Sequence, residues 1–271
     1  MALVHWYRSD SGLWQDAGVT PAAADGDVVG RWEDKTANDD HVNQAVADRK
    51  PTLQSGAGDT LNGYPVLRFN GITTNLQGAF TTGGALAQPF TVFVVAKLDA
   101  SVVDDDGYYY LTDGDDVANR MVLMKTKQGA PLQDRWLISA GGTGIYGGVA
   151  DANWNVWAAV FNGASSRFWH NGIAECAAGN AGADAPDGIT IGAAPTGVLA
   201  WKGDVEEIVI YGSELSCRDI DQVADYAAIR YALVYSGLCP LAAKAICNDG
   251  EITEFECGDE LAMSYVCGDD P

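Results

Sequence analysis

Basic residues are scarce. Sixteen Lys and Arg stand against 37 Asp and Glu, a formal charge of −21 over 271 residues. Such a balance repels phosphate backbones and anionic headgroups, so nucleic acid and membrane insertion are excluded as the work of this surface. Cationic partners, divalent ions and neutral glycans stay open. Long apolar runs are absent too, none approaching the roughly 18 residues that a spanning helix needs. The start, MALVHWYRSD, has neither a basic leader nor an apolar stretch with a small-residue cleavage site, so no classical export signal is expected. Histidine is confined to His5, His41 and His170, and no G-x-S-x-G elbow accompanies them, which argues against a serine nucleophile or a histidine metal triad.

Cysteine is missing before residue 176. The six are Cys176, Cys217, Cys239, Cys247, Cys257 and Cys267, without the C-x2-4-C knuckle of a structural zinc site. Disulfides are the favoured reading, and six cysteines allow fifteen pairings. From Cys239 onward the composition changes: the last 33 residues hold eight acidic residues and one Lys, a net −7, leaving −14 to the other 238. Cysteines at 247, 257 and 267 form a decaying repeat of Cys, turn and acid. A segment this short buries little surface alone, so staples or docking are expected of it.

Apolar residues make up 47% of the chain, enough for a substantial core. Phe90 to Leu98 (FTVFVVAKL) is β-prone and apolar on both faces, as a central strand is. Tyr64 to Phe69, Tyr108 to Thr112, Met121 to Lys125, Arg135 to Ser139, Ile189 to Gly192 and Asp204 to Tyr211 read as further strands, with an opening one at Leu3 to Tyr7. Val156 to Phe161, Ser166 to His170 and Ile173 to Cys176 form a meander, its last turn at Asn171-Gly172, a hairpin dipeptide. About ten to twelve strands are expected. One helix is signalled over 217–233, capped by Ser216 with Asp219 in the capping-box position and with Ile220, Val223, Ala224, Ala227 and Tyr231 on one stripe; it is expected against the sandwich edge. Crossover helices between strands are missing, which excludes a doubly wound α/β fold. The reading is all-β: two packed antiparallel sheets over 1–238, with a C-terminal helix, and an acidic Cys-rich tail over 239–271.

Several short motifs occur in order: Trp32-Glu33-Asp34-Lys35, Pro65 to Gly71 (PVLRFNG), Pro89 to Ala96 (PFTVFVVA), Val160-Phe161-Asn162-Gly163, Trp169-His170-Asn171-Gly172, Ile189 to Gly192, Trp201-Lys202-Gly203-Asp204, then Glu207, Tyr211 and Leu215-Ser216. Together they resemble the concanavalin A-like lectin and glucanase superfamily, in particular its laminin G-like domains, over residues 3 to 236. The resemblance implies a jelly-roll sandwich. The superfamily holds lectins, glycan-cleaving enzymes, adhesion modules and structural domains of phage particles and bacterial surfaces, so fold does not fix function.

Glycan cleavage needs two facing carboxylates, and the E-x-D-x-x-E strand of the superfamily's glucanases has no match. Asp204-Val205-Glu206-Glu207 comes nearest. Alternation puts Asp204 and Glu206 on one face and Glu207 on the other with Val205 and Val209, so one glutamate is expected near a core edge, held by backbone donors or a base such as Arg68. No enzyme is expected, with a glycoside hydrolase a remote alternative. Asp104, Asp106, Asp113 and Asp115 lie in two loops flanking one strand and offer oxygen ligands to calcium, the one cofactor these residues would take; a merely solvated acidic surface is the competing reading. Trp14, Tyr108, Tyr146 and Trp154 sit beside polar or Gly-rich loops and are the candidates for stacking under a sugar ring.

Two functions compete. The first is a non-enzymatic structural or decoration protein of a virus particle, with other particle proteins or copies of itself as partners. The alternative is a lectin-like adhesion module that binds cell-surface glycan, with or without calcium. Either places the chain in a virion or at a cell exterior.

Overall fold

The computed structural model describes residues 2–82, 84–127, 134–174 and 178–234, together with the backbone of a small hairpin at 246–247 and 250–251. In chain order the strands begin with β1 (Leu3–Arg8), β2 (Leu13–Trp14), β3 (Arg31–Trp32), β4 (Val42–Asn43), β5 (Thr52–Gln54) and β6 (Val66–Asn70). They continue with β7 (Leu76–Ala79), β8 (Phe90–Leu98), β9 (Tyr109–Asp113), β10 (Val122–Lys125), β11 (Arg135–Ser139) and β12 (Ile145–Val149). The last are β13 (Trp154–Phe161), β14 (Arg167–His170), β15 (Ile173–Ala174), β16 (Gly188–Ile191) and β17 (Lys202–Tyr211), before the helix α1 (Cys217–Tyr231).

Two antiparallel sheets result. One has eight strands in the order β15-β14-β13-β8-β17-β6-β5, with β1 beside the second half of β17; the other has nine, β12-β11-β10-β9-β16-β7-β4-β3-β2. Their inner faces interdigitate in one core. Leu67, Phe69, Val94, Ala96 and Leu98 of the first sheet belong to the same buried cluster as Leu111, Leu123, Trp136, Ile138, Ile189 and Ile191 of the second. Aromatics supply much of the filling: Phe90 stacks on Phe161 at 4.8 Å, and Trp136 meets Trp157 edge-on at 4.9 Å. Each such ring removes about 150–250 Å² from water, which makes this layer the main source of stability.

The expected all-β sandwich with one terminal helix is what forms. Strands β8 and β11 keep the expected bounds, and Asn171 and Gly172 take the left-handed φ values of 49° and 78° that a tight hairpin turn requires. Among the described residues the two sheets hold seventeen strands where ten to twelve were expected, because the additional pairings are mostly two to five residues long, too short for periodicity to reveal.

The helix starts as expected and lies elsewhere. Ser216 Oγ accepts from the Asp219 N–H while Asp219 Oδ2 accepts from the Ser216 N–H, both at 3.3 Å. Instead of the sandwich edge, α1 covers the outer face of the eight-stranded sheet. Ile220, Ala224, Ala227 and Tyr231 pack on Phe93, Val95, Val156, Ala158 and Val209. The apolar outer side of β8 explains this placement: it would otherwise face water in the middle of the sheet.

Cys217 opens α1 and is half-buried. The disulfide candidates Cys176, Cys239, Cys257 and Cys267, and the side chain of Cys247, lie outside the described residues, as does the structure of the acidic tail apart from its hairpin backbone.

Candidate functional site

Strand alternation on the nine-stranded sheet sends Leu111, Leu123, Trp136, Ile138 and Ile145 inward and leaves Tyr110, Val122, Met124 and Leu137 in a separate cluster on the outer face. Register aligns these into a row. Tyr110 opposes Met124, Met124 opposes Leu137, and Leu137 opposes Tyr146. Four strands at roughly 4.8 Å spacing make this strip about 14 Å long. It floors an open groove of about 390 Å³ whose walls are Tyr108, Tyr146, Leu199 and Arg120, with Thr126, Ser139 and Thr143 adding hydroxyls.

Tyr108 and Tyr146 are 36% and 37% exposed, so each ring is anchored yet presents a face to water. Cations stand over two of the rings: Arg120 Cζ is 5.7 Å from the Tyr110 centroid and Lys127 Nζ is 5.9 Å from that of Tyr108. Arg120 is fixed from behind by the fully buried Asp113, its Nε lying 2.9 and 3.0 Å from the two carboxylate oxygens. Asp113 raises the guanidinium above its ordinary value, and burial pushes the Asp113 carboxyl up against the pull of that partner. Leu199 leans over the rim in a left-handed conformation, φ 55°, with its carbonyl accepting from the Tyr110 N–H at 3.0 Å. A non-glycine residue there costs about 1–3 kcal/mol, a strain that clusters at binding sites.

Of the four aromatic candidates, then, Tyr108 and Tyr146 come together. Trp14, in β2, belongs to the opposite edge of the same sheet, and Trp154 packs in the cluster beneath α1 with Val95 and Val156. The missed members are Tyr110, Met124, Leu137, Arg120 and Leu199. The alternation of Tyr108 with Tyr110 and of Val122 with Met124 carried their signal, but opposing them required the register.

The four aspartates proposed for calcium are not gathered. Asp104 and Asp106 precede β9, while Asp113 is its last residue and Asp115 follows it, so the roughly 14 Å from the first to the last Cα of the strand lies between the two pairs. Each loop already holds a protein cation. Beside the first, the buried Lys125 ammonium lies 2.9 Å from the Asp105 carbonyl and 2.9 Å from Asp134 Oδ1; at the second, Arg120 occupies Asp113. Among the described residues no group of three or more His, Cys, Asp or Glu is arranged to hold a metal ion.

Simple alternation along β17 fails at Glu206. Val205 opposes Ala96 and Glu207 opposes the next residue, Val95, so Glu206 is the extra residue of a bulge. The inserted residue reverses the parity: Val205 and Ile208 face the inner core, while Glu207 and Val209 lie on the helix side. Both glutamates end up beneath α1, at 0% and 2% exposure, and Arg68 pairs with Asp204 rather than with either. Glu207 accepts from Tyr231 at 2.7 Å and Tyr226 at 3.3 Å, and from the Trp6 indole. Ser9 gives its single proton to the Pro65 carbonyl and stands 3.2 Å from Glu206 Oε1, a geometry suited to a protonated Glu206. Burial, with the adjacent Glu207 adding to it, pushes Glu206 up to about 8. Glu207 is raised as well, by burial.

The histidines are structural neighbours. His5 Nδ1 is 3.1 Å from Asp34 Oδ2, and His41 Nδ1 accepts from the Asp34 N–H at 3.1 Å. Neither faces the groove.

Against solved structures the chain is similar to Trypanosoma rangeli sialidase in complex with sialic acid, at TM-score 0.54 and 15% identity, over 82% of this chain and 32% of that one. It is also similar to the binding domain of botulinum neurotoxin serotype D (TM-score 0.57, 8% identity, 84% of this chain and 53% of that one). A third likeness is to botulinum neurotoxin type C, whose uptake into cells depends on interaction with two ganglioside molecules (TM-score 0.55, 8% identity, 83% and 51%). The fold is the lectin-like jelly roll. This chain therefore spans about a third of the sialidase and about half of the toxin chains. No protein-family model matches it, and no curated protein does. No helix among the described residues is long and apolar enough to cross a membrane.

Proposed function

We propose that this protein is a non-enzymatic glycan-binding module, of the laminin G-like kind within the jelly-roll class, and that the groove on the nine-stranded sheet is its binding face. The observation that carries the reading is a groove in which the half-exposed rings of Tyr108 and Tyr146 stand beside a floor of Tyr110, Met124 and Leu137, the last two only 8% and 4% exposed among the described residues. Half-exposed rings suit the apolar face of a pyranose, and a ring of hydroxyls with a fixed guanidinium suits its rim. Likeness to a sialidase and to toxin binding domains supports this reading over a particle-structural role. The most acidic-looking catalytic candidates, Glu206 and Glu207, are sealed under α1, which favours binding over cleavage.

A glycan array run with calcium and with chelator tests it. Binding is expected in both conditions and lost in the Tyr108→Ala/Tyr146→Ala double variant. An array silent in both conditions, or one that the double variant leaves unchanged, overturns the reading.

A further inference from the structure

The outer face of the eight-stranded sheet is covered by α1 over only part of its extent. Beyond the bulge, register builds a second cross-strand row: Thr52 opposes Arg68, Arg68 opposes Asp204, and Asp204 opposes Lys97. This row and the chain around it line a cavity of about 710 Å³, within the usual range for small-molecule sites. Its walls hold Lys50, Arg68, Lys97 and Lys202, four of the sixteen basic residues of a chain at −21.

Three acids, Asp48, Asp99 and Asp204, line the same cavity, one fewer than the bases. Asp204 is spent on Arg68, with Oδ1 2.7 Å from Nε and Oδ2 3.0 Å from a terminal nitrogen; Asp59 adds a second acid to the same guanidinium at 3.0 Å. Lys202 donates to Ser101 at 2.6 Å and stands 3.7 Å from Asp99, and Lys50 donates to the Gln15 carbonyl at 2.7 Å. Lys97 is left over. It opposes Asp204 directly, yet both oxygens of that carboxylate are taken, and among the described residues no acid or acceptor meets the Lys97 ammonium. The ammonium of a half-buried lysine without a counter-ion, set in a cavity, attracts an oxyanion; the Arg68 guanidinium beside it, held in place by Asp204, is a further donor for the ligand's hydroxyl groups.

We propose that this cavity is a second binding site, distinct from the tyrosine groove, for a small polyhydroxylated ligand bearing one anionic group, with Lys97 as the counter-ion. Because its residues lie on the opposite sheet, it does not depend on the groove binding glycan.

Titration calorimetry of the full chain with glucuronic acid, glucose 6-sulfate and glucose 6-phosphate, against glucose as neutral control, separates the carboxylate, sulfate and phosphate sources of that charge. At least one anionic arm is expected to bind ten-fold or more tightly than glucose, to weaken with added salt, and to lose ten-fold or more in Lys97→Gln with recovery in Lys97→Arg. Tyr108→Ala/Tyr146→Ala is expected to leave the same titration unchanged, which distinguishes this site from the groove. Lys97→Gln is expected to melt as the unaltered protein does, since Lys97 holds no partner in the fold. Equal affinity for glucose, no heat in any arm, or undiminished binding by Lys97→Gln overturns the proposal.

Discussion

On the outer side of the eight-stranded sheet, Glu206 and Glu207 are enclosed beneath α1, Glu207 met by hydroxyl and indole donors and Glu206 set beside the Ser9 hydroxyl; on the outer side of the nine-stranded sheet, Tyr108 and Tyr146 look into water with a guanidinium beside them. The residue types are reversed from what polarity alone would place there. Acids are buried and rings exposed. The difference lies in what each face is used for. A face that must hold a helix can enclose carboxyls once they are protonated or hydrogen-bonded, and here Tyr226 and Tyr231 of α1 join Trp6 of β1 as donors to Glu207. A face that must receive a ligand keeps aromatic surface partly wet, with the desolvation left to be completed on binding.

The comparison breaks most readily at Arg120. Its partner Asp113 is fully buried, so Arg120→Met strands a carboxylate in a medium that cannot solvate it. A loss of about 3–5 kcal/mol is expected in denaturant unfolding. A loss below about 1 kcal/mol would mean that Asp113 is solvated after all, and that the groove's fixed cation is nothing of the kind.

Next in size is the effect of pH on the covered face. Glu206 is raised to about 8 in the fold from an ordinary 4.5, so between these values the native state holds a proton that the unfolded chain has released. Stability is therefore greatest below pH 4.5 as far as this group is concerned and falls as pH rises toward 8, by at most about 1.4 kcal/mol per unit for one proton. Unfolding curves at pH 5, 6 and 7 should show the decline, and Glu206→Gln should flatten it. A Glu206→Gln protein with an unchanged slope would assign the proton elsewhere. The helix cap gives a smaller effect on the same face: Ser216→Ala should cost about 1 kcal/mol at every pH, with no change in slope.

How much of this could be read from the chain follows the same division. Strand β8, apolar on both faces, and the Ser216 and Asp219 cap are local patterns, and they mark both the sheet centre and the helix start. Placement of α1 is not local, because nothing within 217–231 says which surface its apolar stripe covers. Likewise, alternation along Asp204 to Glu207 is right for a regular strand and fails at one inserted residue, which only pairing with Val95 and Ala96 exposes. Tyr108 and Tyr146 are legible singly as aromatics beside loops. That they share a groove depends on β9 through β12 aligning in register. The acidic loops are legible as charge alone, while the placing of Lys125 beside Asp105 and Asp134 and of Arg120 on Asp113 depends on the fold.

The smallest effect on stability should accompany a large one on binding. Tyr146 is more than a third exposed and opposes Leu137 across the strand pair, so Tyr146→Ala should change unfolding by less than about 0.5 kcal/mol, as surface substitutions do. Stacking of a ring is worth about 0.5–1.5 kcal/mol beyond the area it buries, and together these should weaken glycan binding roughly ten-fold or more. Tyr146→Phe keeps the ring and should retain most of the affinity. Were Tyr146→Ala instead to destabilise the fold by several kcal/mol with proportionate loss of binding, the tyrosine row would be ordinary sheet packing, and the contrast between a closed face and a receiving face would disappear.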